Sequence, residues 1–266
     1  MYQSIRILTK SANFFIIHFM EVVDTLKNGY KIIQDSEKFK FGIDAILLSH
    51  FAFNQIRNNE KVIDLGTGNG IIPLMIAKSR ANSIVGLEIQ EENVEIAKRS
   101  VELNQLEEKI QIIHGDIKAV EKKFTKHSFD VVVSNPPYMI NEHGKQNPTE
   151  AKSIARHEVL CNLEDIISAA DFLLKPNGKF FMIHKAFRLP EIFNSMINHK
   201  IEPKRMQMIL PFVDKESNLV LIEGRKNGNP RLQIEKNLIV YEKSGTYSKM
   251  IEDIYSCFEK TNYPRK

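Results

Sequence analysis

The sequence predicts an α/β fold in which helices cover a mostly parallel sheet with an antiparallel last strand. Short apolar runs rich in β-branched residues alternate with amphipathic stretches of helical period, as in repeated βαβ units. Turns rich in glycine, asparagine and proline separate these runs. The connector 211–217 between the last two predicted strands, 205–210 and 218–224, is short enough for a hairpin. Strands joined by a hairpin run antiparallel, so the final strand is expected to oppose its neighbour.

The composition is that of an ordinary globular protein. The chain has 266 residues, of which 42% are hydrophobic and 26% charged, and this length suits one large domain or one domain with a small appendage. The net charge of +4 permits an anionic partner without requiring one. Cys161 and Cys257 have no second cysteine at metal or redox spacing. We therefore expect no metal site, no disulfide framework, and a reducing, cytoplasmic compartment.

The amino-terminal residues do not fit the rest of the pattern. Residues 1–19 contain a short apolar run resembling part of a signal peptide, but His18 interrupts it and no small-residue cleavage site follows. The run is also far shorter than the roughly 20 residues of a membrane helix, so no membrane partner is expected. We interpret residues 1–19 as an upstream extension, residues 20–58 as an N-terminal cap segment and residues 59–266 as the main domain.

The cap segment ends in a stretch that predicts a helix. The stretch 39–48 leads into this helix and includes its first turn. Asp44 is placed to cap the helix, which is expected to run from Ala45 to Phe51. One interpretation is a lid that only covers the sheet. The other interpretation places Phe41 and Asp44 beside a cofactor, and the residues alone do not separate the two.

A glycine-rich turn follows the first buried strand of the main domain, 61–65. In this turn Gly66, Thr67 and Gly68 are expected to line a ligand, because glycine adopts positive φ and lets a ligand approach without a Cβ in the way. The predicted helix 71–80 and a second predicted strand, 83–88, follow, and that strand ends at Glu88. An acid about 20 residues beyond such a turn can accept both hydroxyls of a ribose. The arrangement therefore predicts a nucleoside-containing ligand.

Asp64, near the start of the turn, narrows the choice of ligand. The glycine spacing is G-x-G-x-G, and Asp64 stands two residues before the first glycine. This differs from the G-x-G-x-x-G of dinucleotide-binding enzymes, and a carboxylate beside the turn would repel a pyrophosphate. It suits a ligand with an ammonium or a sulfonium group. S-adenosylmethionine, which carries both together with ribose and adenine, fits this pattern better than NAD.

A further acid follows the third strand, 110–114. Asp116 can accept the adenine amino group of a cofactor lying across the first three strands. The other interpretation makes Asp116 the N-cap of a helix beginning at Ile117. Both roles can hold at once.

The fourth strand, 129–133, ends at the segment Ser134-Asn135-Pro136-Pro137-Tyr138. The prolines stop the strand and fix φ, so the turn is stiff. The Asn135 side chain and the Pro136 carbonyl can accept two N–H bonds from a planar amine, and the Tyr138 ring can lie on its face. The other interpretation is a strand-ending turn with a surface tyrosine.

Basic residues follow the fourth and fifth strands. The irregular segment 139–158 contains most of them, and long loops in compact domains are usually functional or disordered. We expect them to contact the phosphates of an RNA, whereas the alternative is a solvated basic rim or bracing of the next helix. The candidates are Lys145, Lys152, Arg156, His157, Lys185 and Arg188.

Taken in order and spacing, these motifs resemble the class I S-adenosylmethionine-dependent methyltransferases. The motifs are 64–70, Glu88, Asp116 and the Asn-Pro-Pro-Tyr sequence 135–138, a form typical of enzymes that methylate planar nitrogens. Three further stretches, 38–48, 154–158 and 242–247, are similar to bacterial adenosine N6-methyltransferases that modify the anticodon loop of a valine tRNA.

The resemblance implies a Rossmann-like, seven-stranded methyltransferase sheet within residues 59–266. It implies cofactor contacts at Gly66, Gly68, Glu88 and Asp116, and catalysis at residues Asn135 to Tyr138. The implied cofactor is S-adenosyl-L-methionine and the implied partner is structured RNA, specifically tRNA. It gives no indication of an oligomeric state.

Rival functions share part of this pattern. Release-factor glutamine N5-methyltransferases have the same Asn-Pro-Pro-Tyr turn but also an amino-terminal helical domain, and only about forty residues separate Met20 from the first strand here. DNA adenine methyltransferases usually add a target-recognition domain, for which no segment is long enough. A third alternative is a catalytically silent RNA-binding protein with a methyltransferase fold.

Overall fold

The structure is a computed structural model that describes residues 21–35, 42–137 and 161–259, together with the backbone of residues 5 and 6. Its strands are β1 (Ile5–Arg6), β2 (Glu21–Thr25), β3 (Lys31–Asp35), β4 (Lys61–Leu65), β5 (Ser83–Glu88), β6 (Ile110–His114), β7 (Phe129–Ser134), β8 (Leu174–Lys185), β9 (Ile201–Leu210), β10 (Leu219–Lys226), β11 (Gln233–Ile234), β12 (Leu238–Ile239), β13 (Tyr241–Lys243) and β14 (Thr246–Tyr247). Its α-helices are α1 (Ile43–Phe53), α2 (Ile71–Ile76), α3 (Glu91–Leu103), α4 (Leu163–Leu173), α5 (Leu189–Asn198) and α6 (Lys249–Glu259), and its 3₁₀ helices are Ile117–Lys122 and Ala186–Arg188.

The central sheet has the predicted arrangement. Its seven long strands lie in the order β6-β5-β4-β7-β8-β10-β9 within the described residues, and the short β11 and β12 pair with β9. Strands β4 to β8 pair in parallel, whereas β10 is antiparallel to both β8 and β9. The prediction of a mostly parallel sheet with an antiparallel last strand is confirmed.

The middle of the sheet is fully buried, which explains its sequence. Val62, Ile63 and residues 131–133 have no exposed surface. Parallel strands covered by helices on both faces read as continuous apolar runs, as these do. The carboxyl ends of β4 to β8 therefore form one edge of a rigid layer, and side chains that follow these strands are held in fixed relation to one another.

The helix after the glycine turn is shorter than the sequence suggests. The prediction of a helix over 71–80 is wrong at its end, since α2 stops at Ile76. There the chain tightens, because the amides of Ala77 and Ser79 donate to carbonyls three residues back. The Ser79 hydroxyl then accepts from the Ala81 amide, which completes the turn into β5.

The cap segment packs on the main domain. The amide of Ile33 in β3 donates to the Ser100 hydroxyl of α3 at 3.0 Å, and Asn104 exchanges hydrogen bonds with the backbone of Lys31 at 2.7 and 2.6 Å. Strand β1 pairs with β2, so two residues of the expected upstream extension join this hairpin. The division at residues 19 and 58 stays a prediction. Among the described residues, no helix has the length and apolar character needed to cross a membrane.

The carboxyl-terminal region, in which the sequence pattern assigns no helix or strand, folds back onto α1. Helix α6 buries Ile251, Ile254 and Phe258, and the Phe258 ring meets the ring of Phe53 edge-on at 6.1 Å. Helix α1 is consequently enclosed by α2, β8 and α6, and most of its side chains are buried. A helix packed on this many sides makes a rigid support for its first turn.

Candidate active site

The candidate residues follow adjacent strands at one edge of the sheet. Strands β6, β5, β4 and β7 are neighbours, and Asp116, Glu88, Gly66 and Asn135 stand at or just beyond their carboxyl ends. Strand β4 lies between β5 and β7, so the chain order reverses there. Open α/β sheets bind ligands outside the strand ends at such a reversal.

The glycine turn is open on the side where a ligand would pass. Gly66, Gly68 and Gly70 have φ values of 77°, 57° and 84°, which L side chains rarely adopt. A Cβ built on Gly68 would meet no heavy atom within 4 Å. The amides of Gly66 and Thr67 donate to the Leu87 carbonyl at 2.9 and 3.0 Å, which fastens the turn to β5. The turn is thus rigid yet leaves space beside its backbone.

Glu88 is buried, holds the glycine turn in place and can also accept hydrogen bonds from a ligand. One oxygen, Oε2, accepts from the Gly68 amide at 2.9 Å, and Oε1 accepts from the Gln90 amide at 2.9 Å. These bonds fix the carboxylate and tie it to the glycine turn. Each oxygen has two lone pairs, so this fixed carboxylate can still accept hydrogen bonds from hydroxyl groups.

Asp64 is a buried carboxyl group for which the described chain provides no hydrogen-bond donor. It has no exposed surface, and neither of its oxygens, nor the buried Thr67 hydroxyl, has a hydrogen-bond partner within the described part of the chain. Burial raises the pKa of Asp64 to about 7, and the charge of Glu88 adds to the rise. The Thr67 hydroxyl is close enough to lower this pKa in part, although it lies outside hydrogen-bonding geometry. An unsatisfied buried carboxyl group is costly, and a cationic ligand would satisfy it.

Asp116 acts as a helix cap. Its side chain accepts from the Lys118 amide at 2.9 Å, at the start of the 3₁₀ helix Ile117–Lys122. The predicted capping role is confirmed. Its role toward an adenine amino group stays a prediction.

Asn135 is held from two directions. The hydroxyl of Ser134 donates to the Leu65 carbonyl at 2.9 Å, which joins the end of β7 to the residue before the glycine turn. The side-chain amide of Asn135 donates from Nδ2 to Oδ2 of Asp44 at 3.2 Å. Pro136 is buried beside it. The catalytic candidate therefore lies next to the candidate cofactor turn.

The predicted position of Asp44 is wrong in one respect. Gly42 occupies the N-cap position and Asp44 lies in the first turn of α1, because the helix begins at Ile43, two residues earlier than expected. The Asp44–Asn135 hydrogen bond spans 91 residues of sequence, and sequence reasoning missed it. The one sequence feature related to this contact is the glycine at position 42. Any other residue there would place a Cβ against the Asp44 carboxylate.

Several candidates lie outside the described residues, namely Phe41, Tyr138, Lys145, Lys152, Arg156 and His157. Of the remaining basic candidates, Lys185 ends β8 and Arg188 lies in the 3₁₀ helix that follows. Arg188 forms a bidentate pair with Glu191, with Nε–Oε2 and Nη2–Oε1 distances of 2.8 and 2.5 Å. Its guanidinium is therefore already engaged by a carboxylate.

The residues at this edge fit S-adenosylmethionine. The unsatisfied Asp64 carboxyl group matches a cationic ligand, Glu88 matches ribose hydroxyls, and Gly68 leaves room for the ligand to pass. Over residues 21–35, 42–137 and 161–259, no cluster of three or more His, Cys, Asp or Glu side chains could hold a metal ion.

Curated relatives resemble the chain over most of its length. It is 27% identical over 221 residues to the tRNA1(Val) (adenine(37)-N6)-methyltransferase of Aeromonas hydrophila, covering 82% of this chain and 89% of that protein. It is 28% identical over 226 residues to the Porphyromonas gingivalis protein of the same name, covering 82% and 88%. The Dyadobacter fermentans protein, also of that name, is 25% identical over 232 residues, covering 86% and 94%.

Solved structures support the fold. A predicted O-methyltransferase from Agrobacterium tumefaciens superposes with a TM-score of 0.64 at 21% identity, covering 81% of this chain and 96% of that chain. The tRNA m1G37 methyltransferase of M. jannaschii gives a TM-score of 0.57 at 15% identity, covering 80% and 56%. The methyltransferase small domain family matches residues 42–203, more than half of the chain. The resemblance drawn from the motifs is confirmed, and the chain belongs to the methyltransferase small domain family.

Proposed function

We propose that this protein transfers the methyl group of S-adenosylmethionine to the exocyclic N6 of an unpaired adenine in tRNA, at position 37 in the anticodon loop of a valine tRNA. The observation that carries the proposal is the placement of Asn135 beside the glycine turn, fixed by Asp44 and Ser134. The names of the relatives in Aeromonas hydrophila and Porphyromonas gingivalis support this choice of acceptor.

The cofactor residues divide the binding between them. S-adenosylmethionine supplies a methyl group that its sulfonium already activates. Glu88 accepts hydrogen bonds from the ribose hydroxyls, and Asp116 accepts one from the adenine amino group. Asp64 offers a carboxylate to the cationic end of the ligand. Gly66, Thr67 and Gly68 line the passage between these groups.

The Asn-Pro-Pro-Tyr turn makes the target nitrogen, which receives the methyl group, more nucleophilic. The lone pair of an exocyclic amine on a purine is delocalised into the ring, so the amine is a weak nucleophile. Acceptors at Asn135 Oδ1 and at the Pro136 carbonyl favour a pyramidal nitrogen and localise that pair. Proximity and in-line alignment then matter more than a strong base, because the methylated nitrogen loses its extra proton to water. Tyr138 supports the base from its face.

The target adenine must leave its stack to reach this turn. Extrusion costs a few kcal/mol, and least in a loop, which favours an anticodon-loop nucleotide over a paired one. We propose that five of the basic candidates, Lys145, Lys152, Arg156, His157 and Lys185, contact flanking phosphates. Arg188 is the exception, because its guanidinium is already bound by Glu191.

Nucleoside mass spectrometry tests the acceptor. Valine tRNA transcript, incubated with the protein and S-adenosylmethionine, is expected to yield N6-methyladenosine, and a transcript with guanine at position 37 none. Parallel reactions use double-stranded DNA and a release-factor protein. Methylation of a glutamine, or of duplex DNA, would contradict the proposal in favour of a rival methyltransferase. Absence of methylation in every reaction, with tRNA still bound, would indicate a catalytically silent RNA-binding protein.

A further inference from the structure

We infer that Asp44 is a positioning residue, which orients the Asn135 side chain for methyl transfer, rather than a cofactor ligand. The inference rests on the proposed function, because it assigns Asn135 the role of accepting an N–H from the target amine. It replaces the expectation that Asp44 contacts the cofactor. The contact that carries it is the 3.2 Å hydrogen bond from Asn135 Nδ2 to Asp44 Oδ2.

The chemistry of the partner decides which way the Asn135 amide faces. An asparagine side chain has an acceptor end, Oδ1, and a donor end, Nδ2, and only its partners distinguish the two orientations. A carboxylate only accepts, so Asp44 can bond the Nδ2 end and would repel Oδ1. The flipped amide, which would present a donor to an amine that is itself a donor, is thereby disfavoured. Asp44 thus assigns the acceptor end to the substrate.

Asp44 is itself fixed. Its second oxygen, Oδ1, accepts from the Ala45 amide at 3.0 Å, so each carboxylate oxygen has its own donor. Gly42 makes room for this arrangement, since a Cβ there would collide with Oδ1 and lie 3.3 Å from Cγ. The supporting helix α1 is buried along most of its length. The orientation of Asn135 is therefore transmitted from a rigid helix.

The effect belongs to the transition state. Asn135 matters most as the amine becomes pyramidal, so a loosely oriented amide lowers turnover and leaves cofactor binding intact. A cofactor ligand at position 44 would behave in the opposite way. The split between turnover and cofactor affinity therefore distinguishes positioning from cofactor binding.

The test uses two substitutions of Asp44. Asp44→Asn keeps the shape, but a carboxamide cannot accept from both Ala45 and Asn135. Asp44→Ser keeps an acceptor for the Ala45 amide and is too short to reach Asn135. Both are expected to lower kcat on tRNA about ten- to a hundred-fold, with the dissociation constant of S-adenosylhomocysteine within about twofold of the original. Circular dichroism and thermal melting verify that each variant is folded.

A double-mutant cycle tests whether Asp44 acts through Asn135. Adding Asp44→Asn to Asn135→Ala is expected to change kcat by less than about twofold, since the group being oriented is gone. A weakening of S-adenosylhomocysteine binding of about tenfold or more, with effects that multiply in the double variant, would overturn the inference. So would a kcat of Asp44→Asn and Asp44→Ser within about twofold of the original.

Asp130 provides a matched control at the opposite edge of the sheet. As in Asp44, each oxygen of its carboxylate has its own donor. Oδ2 accepts from the Lys61 amide at 2.9 Å and Oδ1 accepts from Lys175 Nζ at 2.8 Å. Asp130→Asn should lower the melting temperature and leave kcat unchanged. The original protein's activity on tRNA is measured first, so failure of the proposed function would appear there. Failure of the inference would appear only in the Asp44 variants.

Discussion

The two halves of the candidate site are built differently. The cofactor half, at the ends of β4, β5 and β6, joins residues close in sequence, since Gly68 and the Glu88 carboxylate that binds its amide are 20 residues apart. The acceptor half, at the end of β7, joins Asp44 to Asn135 across 91 residues. The candidate cofactor half is therefore assembled from local motifs, whereas the geometry of the candidate acceptor half depends on how distant elements pack.

The two halves also differ in how their carboxylates are satisfied. Asp44 in the acceptor half has a donor for each oxygen. Asp64 in the cofactor half has none in the described chain and a pKa raised by burial to about 7. Glu88, also in the cofactor half, resembles Asp44, because Gly68 and Gln90 each donate to one of its oxygens. Asp64 is therefore the site carboxyl group for which the described chain supplies no hydrogen-bond donor, and we expect a cationic ligand to satisfy it.

The largest expected effect separates the halves directly. Asn135→Ala removes an acceptor that acts mainly in the transition state, so kcat on tRNA should fall about a hundred- to a thousand-fold. Affinity for S-adenosylhomocysteine, measured by calorimetry, should stay within about twofold. Methylation at the original rate would remove Asn135 from the mechanism.

The reverse pattern is expected from the cofactor half. Glu88→Ala removes a buried acceptor and Gly68→Val fills the open side of the turn, so each should weaken S-adenosylhomocysteine binding about ten- to a hundred-fold. Gly29→Val is the matched control, because Gly29 also has positive φ (86°) and no heavy atom within 4 Å of a built Cβ. It should cost stability without altering affinity. Equal affinity in Gly68→Val and Gly29→Val would contradict the placement of the ligand.

A pH series should show the coupling between Asp64 and the ligand. Below about pH 7 the Asp64 carboxyl group is protonated in the free protein, whereas the ligand ammonium favours the carboxylate, so binding releases a proton. Affinity for S-adenosylhomocysteine should rise with pH up to about 7, by at most about tenfold per pH unit.

The stability of the free protein should change in the opposite direction. It should fall between about pH 4 and 7, because Asp64 ionises at a lower pH in the unfolded chain than in the folded protein. Asp64→Asn should flatten both profiles, and an unchanged affinity profile would exclude this role.

The smallest expected effect lies at the rim of the acceptor half. Lys185→Gln should weaken tRNA binding about three- to tenfold and reduce the salt slope by about one unit, as expected for one lost phosphate contact. Arg188→Gln should change affinity by less than about twofold, because Glu191 already binds the guanidinium. Filter binding over a series of salt concentrations measures both. A larger effect for Arg188 would show that RNA displaces Glu191.

Much of the cofactor half could be predicted from the sequence alone. The strands predicted at 61–65, 83–88 and 110–114 have those same bounds in the structure. Buried runs, glycine turns and strand-ending acids are local signals, and neighbouring parallel strands bring their ends to one edge. The capping role of Asp116 was visible for the same reason.

The sequence also predicted Asn135 as a site residue, but only the tertiary structure decided which residue holds its side chain. The sequence placed Asp44 as a helix cap, and packing of α1 against α2, β8 and α6 instead brings its carboxylate to Asn135. It also left α6 unplaced, although Phe258 of that helix packs against Phe53 of α1. Periodicity and turn chemistry report on a few neighbouring residues, whereas a hydrogen bond over 91 residues depends on the order of strands and the packing of helices. The sequence determined the fold, the family and the cofactor motif, and the tertiary structure decided how Asn135 is held.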